Sequence, residues 1–195
     1  MHISGILLAA GRGSRFGGDK LRAQLRDGTP IGVQAARRLQ SVLPRTLAVV
    51  RPDDVELAGI LSDAGVKVTT CADAHLGMGA SLAHAVRESG GADGWIVALA
   101  DMPFIRPQTI EAIASALRAG ALIAAPSHDG KRGHPVGFAA ALRDRLVALT
   151  GDAGAREIVR EAAGRVVLVD VDDPGVLADI DTPAELDRLD DIPPR

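Results

Sequence analysis

Apolar runs bounded by glycine or proline alternate with amphipathic stretches along almost the whole chain. Residues 3–10 form an apolar run ended by glycines, the pattern of a strand buried on both faces. Residues 30–43 then predict a helix, with Thr29 as a plausible N-cap, Pro30 in the first turn and Pro44 beyond the end. Further strands are predicted at 47–51, 66–72, 95–100, 122–126, 136–139 and 166–171. Further helices are predicted at 55–64, 80–88, 108–117, 140–149, 153–162 and 183–189. The polar loop SHDGKRGH separates the strands at 122–126 and 136–139.

This alternation implies an α/β fold: a Rossmann-like three-layer α/β/α sandwich around a mostly parallel sheet. Ligands on such sheets bind at the carboxyl ends of strands, near a switch in strand order. The loops after Ala10, Ala72, Ala100 and Val171 are therefore the places to look. There is no repeat or low-complexity stretch, so residues 1–195 read as one domain, with 190–195 (DDIPPR) as a disordered tail.

Composition narrows the function classes. At 195 residues and 47% apolar, the chain can bury a core without disulfides. Its aromatics are only Phe16, Phe104, Phe138 and Trp95, which leaves the core to Ala, Val, Leu and Ile. A net charge of −3 with interspersed signs argues against a nucleic-acid or membrane surface. The single Cys71 cannot form an internal disulfide, which fits a reducing cytoplasm, and reads as a small buried apolar residue. The N-terminal apolar run lacks a basic leader and is cut short by Gly11, so neither a signal peptide nor a membrane span is expected.

The strongest chemistry follows the first strand, in LAAGRGSRFGGDK (residues 8–20). Gly11, Gly13, Gly17 and Gly18 let backbone N–H groups turn toward an anion, while Arg15 and Lys20, with Arg12 as a third candidate, add cationic donors. The dinucleotide fingerprint fails because Phe16 stands where its third glycine belongs. A Walker A loop fails because Lys20 follows Asp19 and precedes Leu21. The alternative is a structural turn that is also basic.

Two carboxylates come next. Asp101 ends a very apolar strand in ALADMP, where a carboxylate needs a cation such as magnesium or else serves as a cap or turn former before Pro103 and Pro107. Asp179 and Asp181 lie two apart in VLADIDTP, so alternation lets both face one site; Asp181 is equally a candidate N-cap for the helix opening at Thr182-Pro183. Asp19, Asp73, Asp152, Asp170, Asp172 and Asp173 read as ordinary loop acids. LGMGASL (76–82) places Gly79 and Ser81 at a helix start, suited to a flat base or a phosphate. GKRGHP (130–135) gathers Lys131, Arg132 and His134, which suit an anionic second substrate or an ordinary solvated hairpin. His2, His75, His84 and His128 have no metal-ligand spacing with Cys71.

These motifs, together with GDAGAR after KRGHPVGF, occur in the same order in one group of nucleotidyltransferases. From about Ile3 to Leu189 the chain resembles the molybdenum cofactor cytidylyltransferases, within a wider family that includes the guanylyltransferase of the same cofactor. The resemblance implies magnesium-dependent transfer of CMP from CTP to molybdopterin or molybdenum cofactor, with release of pyrophosphate. It also implies a client molybdoenzyme or its chaperone as protein partner. By the same resemblance Leu8, Ala9, Ala10, Gly11, Gly13, Arg15, Lys20, Gly79 and Ser81 would hold the nucleotide, Arg15 and Lys20 on its phosphates. Arg15, Lys20 and Asp101 would be catalytic, Asp101 and Asp181 would hold the metal, and Arg132 and His134 would face the acceptor. Guanylyltransferases of this kind resemble LAGG where this chain has LAAG, so the Ala10 methyl favours a pyrimidine. Gly18 before Asp19-Lys20 resembles the guanylyl loop instead. The alternatives are therefore a guanylyltransferase or another nucleotidyltransferase acting on a phosphate. A different class is a non-catalytic maturation factor that binds nucleotide or cofactor.

Overall fold

The computed structural model describes residues 1–11, 16 and 19–189. In chain order the main elements are β1 (Ile3–Leu8), α1 (Ile31–Val42), β2 (Thr46–Val50), α2 (Val55–Asp63), β3 (Lys67–Thr70), α3 (Met78–Glu88), β4 (Gly94–Leu99) and α4 (Pro107–Arg118). They continue with β5 (Ile123–His128), β6 (Lys131–Arg132), β7 (Val136–Ala139), α5 (Arg143–Val147), α6 (Arg156–Glu161), β8 (Val166–Asp170) and α7 (Pro183–Leu189). One sheet runs β3-β2-β1-β4-β7-β5-β6, with β8 also paired to β5. The β3-β2-β1-β4 half is parallel, whereas β7 is antiparallel to both β4 and β5.

Period-two alternation sorts each central strand between two core layers. Leu7, Ala48, Val50, Ile96 and Ala98 point into the layer covered by α1, α2 and α4. Ile6, Leu47, Val49, Trp95 and Val97 point into the layer covered by α3, α5 and α6. This is the expected three-layer arrangement. Two aromatics are fully buried in the otherwise aliphatic core: Trp95 and Phe138 are register partners across β4 and β7, and both are 1% exposed. Trp95 Nε1 donates to Ser89 Oγ at 2.6 Å, which satisfies its polar end. Cys71 is buried, as expected.

Local differences from the sequence reading have local causes. Thr29 is not the N-cap of α1; that position is Pro30, without a side-chain cap. Thr29 closes a tight turn instead, its N–H donating to Asp27 and its carbonyl accepting from Leu25. The helix predicted at 140–149 opens as a 3-10 turn, Ala140–Leu142, before α5. The one predicted at 153–162 starts at Arg156, because Gly151 and Gly154 at positive φ turn the chain first. The tail at 190–195 lies outside the described residues. Among the described residues no helix is long and apolar enough to cross a membrane.

From β1 the chain moves outward through β2 and β3, then returns to place β4 on the other side of β1. The carboxyl ends of β1 and β4 therefore flank the switch in strand order where a ligand crevice is expected.

Candidate active site

At that switch, three charged side chains from distant parts of the chain meet. Lys20 opens the 3-10 turn Lys20–Arg22 and is 9% exposed. The turn is held by Arg22, which pairs with Asp19 and with Glu56 on α2. Lys20 Nζ lies 2.8 Å from Asp101 Oδ2 and 2.9 Å from Asp181 Oδ1. Asp101 thus meets a cation as its position at the end of β4 demands, and in this structure that cation is a lysine. Asp101 caps no helix; the N-cap of α4 is Arg106.

Asp181 reaches the site along a stapled path. Asp173, expected to be an ordinary loop acid, is 2% exposed. It accepts from Arg106 N at 2.8 Å, Thr109 Oγ1 at 2.6 Å and Gly175 N at 3.0 Å. These bonds anchor the 3-10 turn Pro174–Leu177 beside the start of α4. Ile180 N then donates to Asp101 O at 3.0 Å, which sets Asp181 next to Asp101. Nor is Asp181 the cap of α7. Thr182 and Glu185 form a reciprocal capping box, with Glu185 Oε2 accepting from the N–H groups of Asp181 and Thr182 at 2.9 Å each. The Asp181 carboxylate meets Lys20. Asp179 is exposed, and its charge acts on His134.

Burial opposes the charge of Lys20, but its hydrogen bonds to both carboxylates outweigh that and hold the ammonium above its ordinary range. Asp101 Oδ1 is buried without a hydrogen-bond partner, and so is His134 Nδ1. His134 is held by its own N–H, which donates to Val176 O at 2.9 Å. Gly133 permits this approach, since a Cβ there would collide with the Val176 carbonyl. Burial pushes the His134 imidazole below its ordinary value against the pull of Asp101, and the Arg132 charge lowers it further. Arg132 itself is exposed on the short β5–β6 hairpin, as is Lys131.

A cleft of about 350 Å³ is lined by Leu8, Gly11, Arg51 and Asp101 and by Ala10, Leu99, Ala74, His75, Gly77, Met78, Ser81 and Asp152. A smaller recess of about 90 Å³ adjoins it, with Lys20, Arg22, Arg51 and Asp19 in its walls. Of the predicted nucleotide residues, Leu8, Ala10, Gly11 and Ser81 line the cleft. Ala9 does not: it is 1% exposed, and its N–H is spent on Val49 O. Gly79 also turns away, its N–H donating to Gly151 O at 2.8 Å. Gly13 and Arg15, with Arg12, Gly17 and Gly18, lie outside the described residues.

Sequence reasoning missed Arg51 and Asp152. Arg51 follows β2, lines both cavities and donates from Nη1 to Gly11 O at 2.8 Å. Asp53 and Asp54 hold its other nitrogens at 3.1 and 3.4 Å. The strand-end rule applied to β2 would have found it.

Among the described residues no three His, Cys, Asp or Glu side chains cluster as a self-sufficient metal cage. Two carboxylates, one with an orphaned buried oxygen, fit a hard divalent cation that takes its remaining ligands from phosphate and water.

Residues 5–166 match the MobA-like NTP transferase domain, and the chain belongs to that family. It is 31% identical over 192 residues to the purine catabolism protein PucB of Bacillus subtilis (strain 168), covering 89% of this chain and 93% of that one. The crystal structure of Rv0371c from Mycobacterium tuberculosis H37Rv superposes with a TM-score of 0.84 at 28% identity, over 96% of each chain. A complex of that protein with manganese superposes at 0.80 and 24% identity, over 97% of this chain and 98% of that chain. Molybdopterin-guanine dinucleotide biosynthesis protein A from Archaeoglobus fulgidus shares the fold, with a TM-score of 0.66 at 24% identity over 96% of each chain.

Proposed function

We propose that this member of the MobA-like NTP transferase family transfers CMP from CTP to molybdopterin or molybdenum cofactor, with magnesium, releasing pyrophosphate. The observation that carries the reading is the Lys20–Asp101–Asp181 cluster at the switch point, beside a cleft. The family membership supports the reaction class, and the archaeal protein named for molybdopterin-guanine dinucleotide supports the acceptor.

In the proposed reaction an oxygen of the acceptor's terminal phosphate bonds to the α-phosphorus of CTP. The bond from that phosphorus to the bridging oxygen of pyrophosphate breaks. The barrier is dominated by charge on phosphate oxygens, so positioning and electrostatics do most of the work. Asp101, whose Oδ1 is orphaned, and Asp181 would hold a divalent cation, which would supply charge neutralisation at the α-phosphate. Lys20 would turn from the carboxylates to the departing pyrophosphate, joined by Arg15 from the glycine loop. Arg51 would hold the entry of that loop through Gly11 O. A phosphate nucleophile is already largely ionised at neutral pH and needs no general base. The neutral imidazole of His134, with Arg132 nearby, would meet the acceptor rather than deprotonate it.

Ala10 is in the cleft wall, and its methyl would narrow the space beside a base, which supports the choice of CTP. Gly18 supports GTP as the second reading, because the loop there resembles the guanylyl form. Pyrophosphate release from each of the four triphosphates, with and without molybdopterin, tests both. A binding-only maturation factor would give saturable binding and no pyrophosphate.

A further inference from the structure

The segments 76–82 and 151–156 meet in the part of the cleft wall that the recess does not share. Gly79 packs on the loop before α6, where a Cβ would fall 2.7 Å from Thr150 O. Gly77 has φ of 121°, and a Cβ there would collide with Asp152 Oδ1. Two glycines therefore let Asp152 come up against the start of α3, where it lines the cleft with His75, Met78 and Ser81. Asp101 and Asp152 are the carboxylates in that wall, and Asp101 is engaged by Lys20.

The proposed reaction centre orients a nucleotide in this cleft. Lys20 and Asp101 line the adjoining recess, and Asp101 is shared by recess and cleft, so the phosphates belong on that side. Asp152 lines the cleft and not the recess, so the base falls on the Asp152 side. An ionised carboxylate only accepts hydrogen bonds. It matches a base edge that offers an amino group, as cytosine does at N4 or guanine at N2, and it opposes the O4 carbonyl of uracil. We propose that Asp152 reads the exocyclic amino group of the base and so determines which nucleoside triphosphates this cleft accepts. The inference rests on the reading of the cleft as a nucleotide site.

The test is equilibrium binding of CTP and UTP, and of GTP and ITP, to the wild-type chain and to Asp152→Asn and Asp152→Ala with magnesium present. Each pair differs in the amino group that Asp152 would read. The wild type is expected to prefer the amino-bearing member of the pair it binds. Asp152→Asn, whose amide can also donate to a carbonyl, is expected to shrink that preference about 10-fold or more, and Asp152→Ala to shrink it as well. A wild type that binds both members equally, or variants that keep the wild-type ratio, would overturn the inference. Binding decides it independently of turnover: a chain that discriminates through Asp152 but releases no pyrophosphate contradicts the transferase reading alone.

Discussion

Asp101 and Asp173 are both acids at the carboxyl edge of the sheet, and they differ in how their oxygens are used. Asp173 has a side chain 3% exposed, with both oxygens met by three donors within 3.0 Å. Asp101 shares one oxygen with Lys20 and keeps the other buried without a partner. A fully satisfied buried carboxylate rigidifies the chain around it; an incompletely satisfied one retains capacity for a ligand. The first is a staple for the path to Asp181, the second the proposed seat for chemistry.

The comparison breaks if the two acids respond alike to substitution. Asp101→Ala is expected to leave the fold intact and to remove about 2–4 kcal/mol of transition-state stabilisation, read as kcat/KM for pyrophosphate release. Wild-type turnover in that variant would end its proposed role. Asp173→Ala leaves three donors unmet and is expected to cost about 2–3 kcal/mol of stability, a fall in Tm of roughly 4–12 °C in a chain of this size. An unchanged melting curve would contradict the staple.

Lys20→Met sharpens the difference from the other side. Without the ammonium, Asp101 and Asp181 lose the cation they share, and magnesium has no lysine to displace. Added magnesium is expected to raise the Tm of this variant more than that of the wild type. Binding at ten times Kd is worth about 1.4 kcal/mol. Equal shifts would show that Lys20 and the metal do not share these carboxylates. Thr182→Ala, which breaks the capping box and touches neither carboxylate, is expected to cost about 1 kcal/mol by denaturant titration.

The smallest effect is one of pH. His134 titrates below its ordinary value of 6.5 in the folded chain, with burial as the main cause. Between the two values the unfolded chain binds more protons. This histidine therefore contributes stability that is present above 6.5 and is lost as pH falls through the folded value. His134→Gln is expected to flatten that part of the stability profile. An identical slope in wild type and variant would rule the histidine out as its source.

Much of the fold was legible because it follows from local periodicity. Central strands with apolar residues on both faces and helices between them implied a layered sheet, and the ends of its strands located Lys20, Asp101 and Asp181. What escaped depends on contacts made across long stretches of chain. Asp173 binds the start of α4, 67 positions away in sequence from Arg106, so its loop setting looked like ordinary solvent exposure. Asp152 enters the cleft only because Gly77 and Gly79 admit residues 150–152. The cation demanded by Asp101 was foreseen, but its identity in this structure was not: Lys20, expected on phosphate from its place in the glycine loop, here bridges two carboxylates from distant segments.

The central claim is nucleotidyl transfer at the Lys20–Asp101–Asp181 cluster, and pyrophosphate release from each of the four triphosphates, with magnesium and with or without molybdopterin, tests it most directly. Release from CTP that requires molybdopterin and is lost in Asp101→Ala is the expected result. Absence of release from every triphosphate, or release that survives in Asp101→Ala, would contradict it.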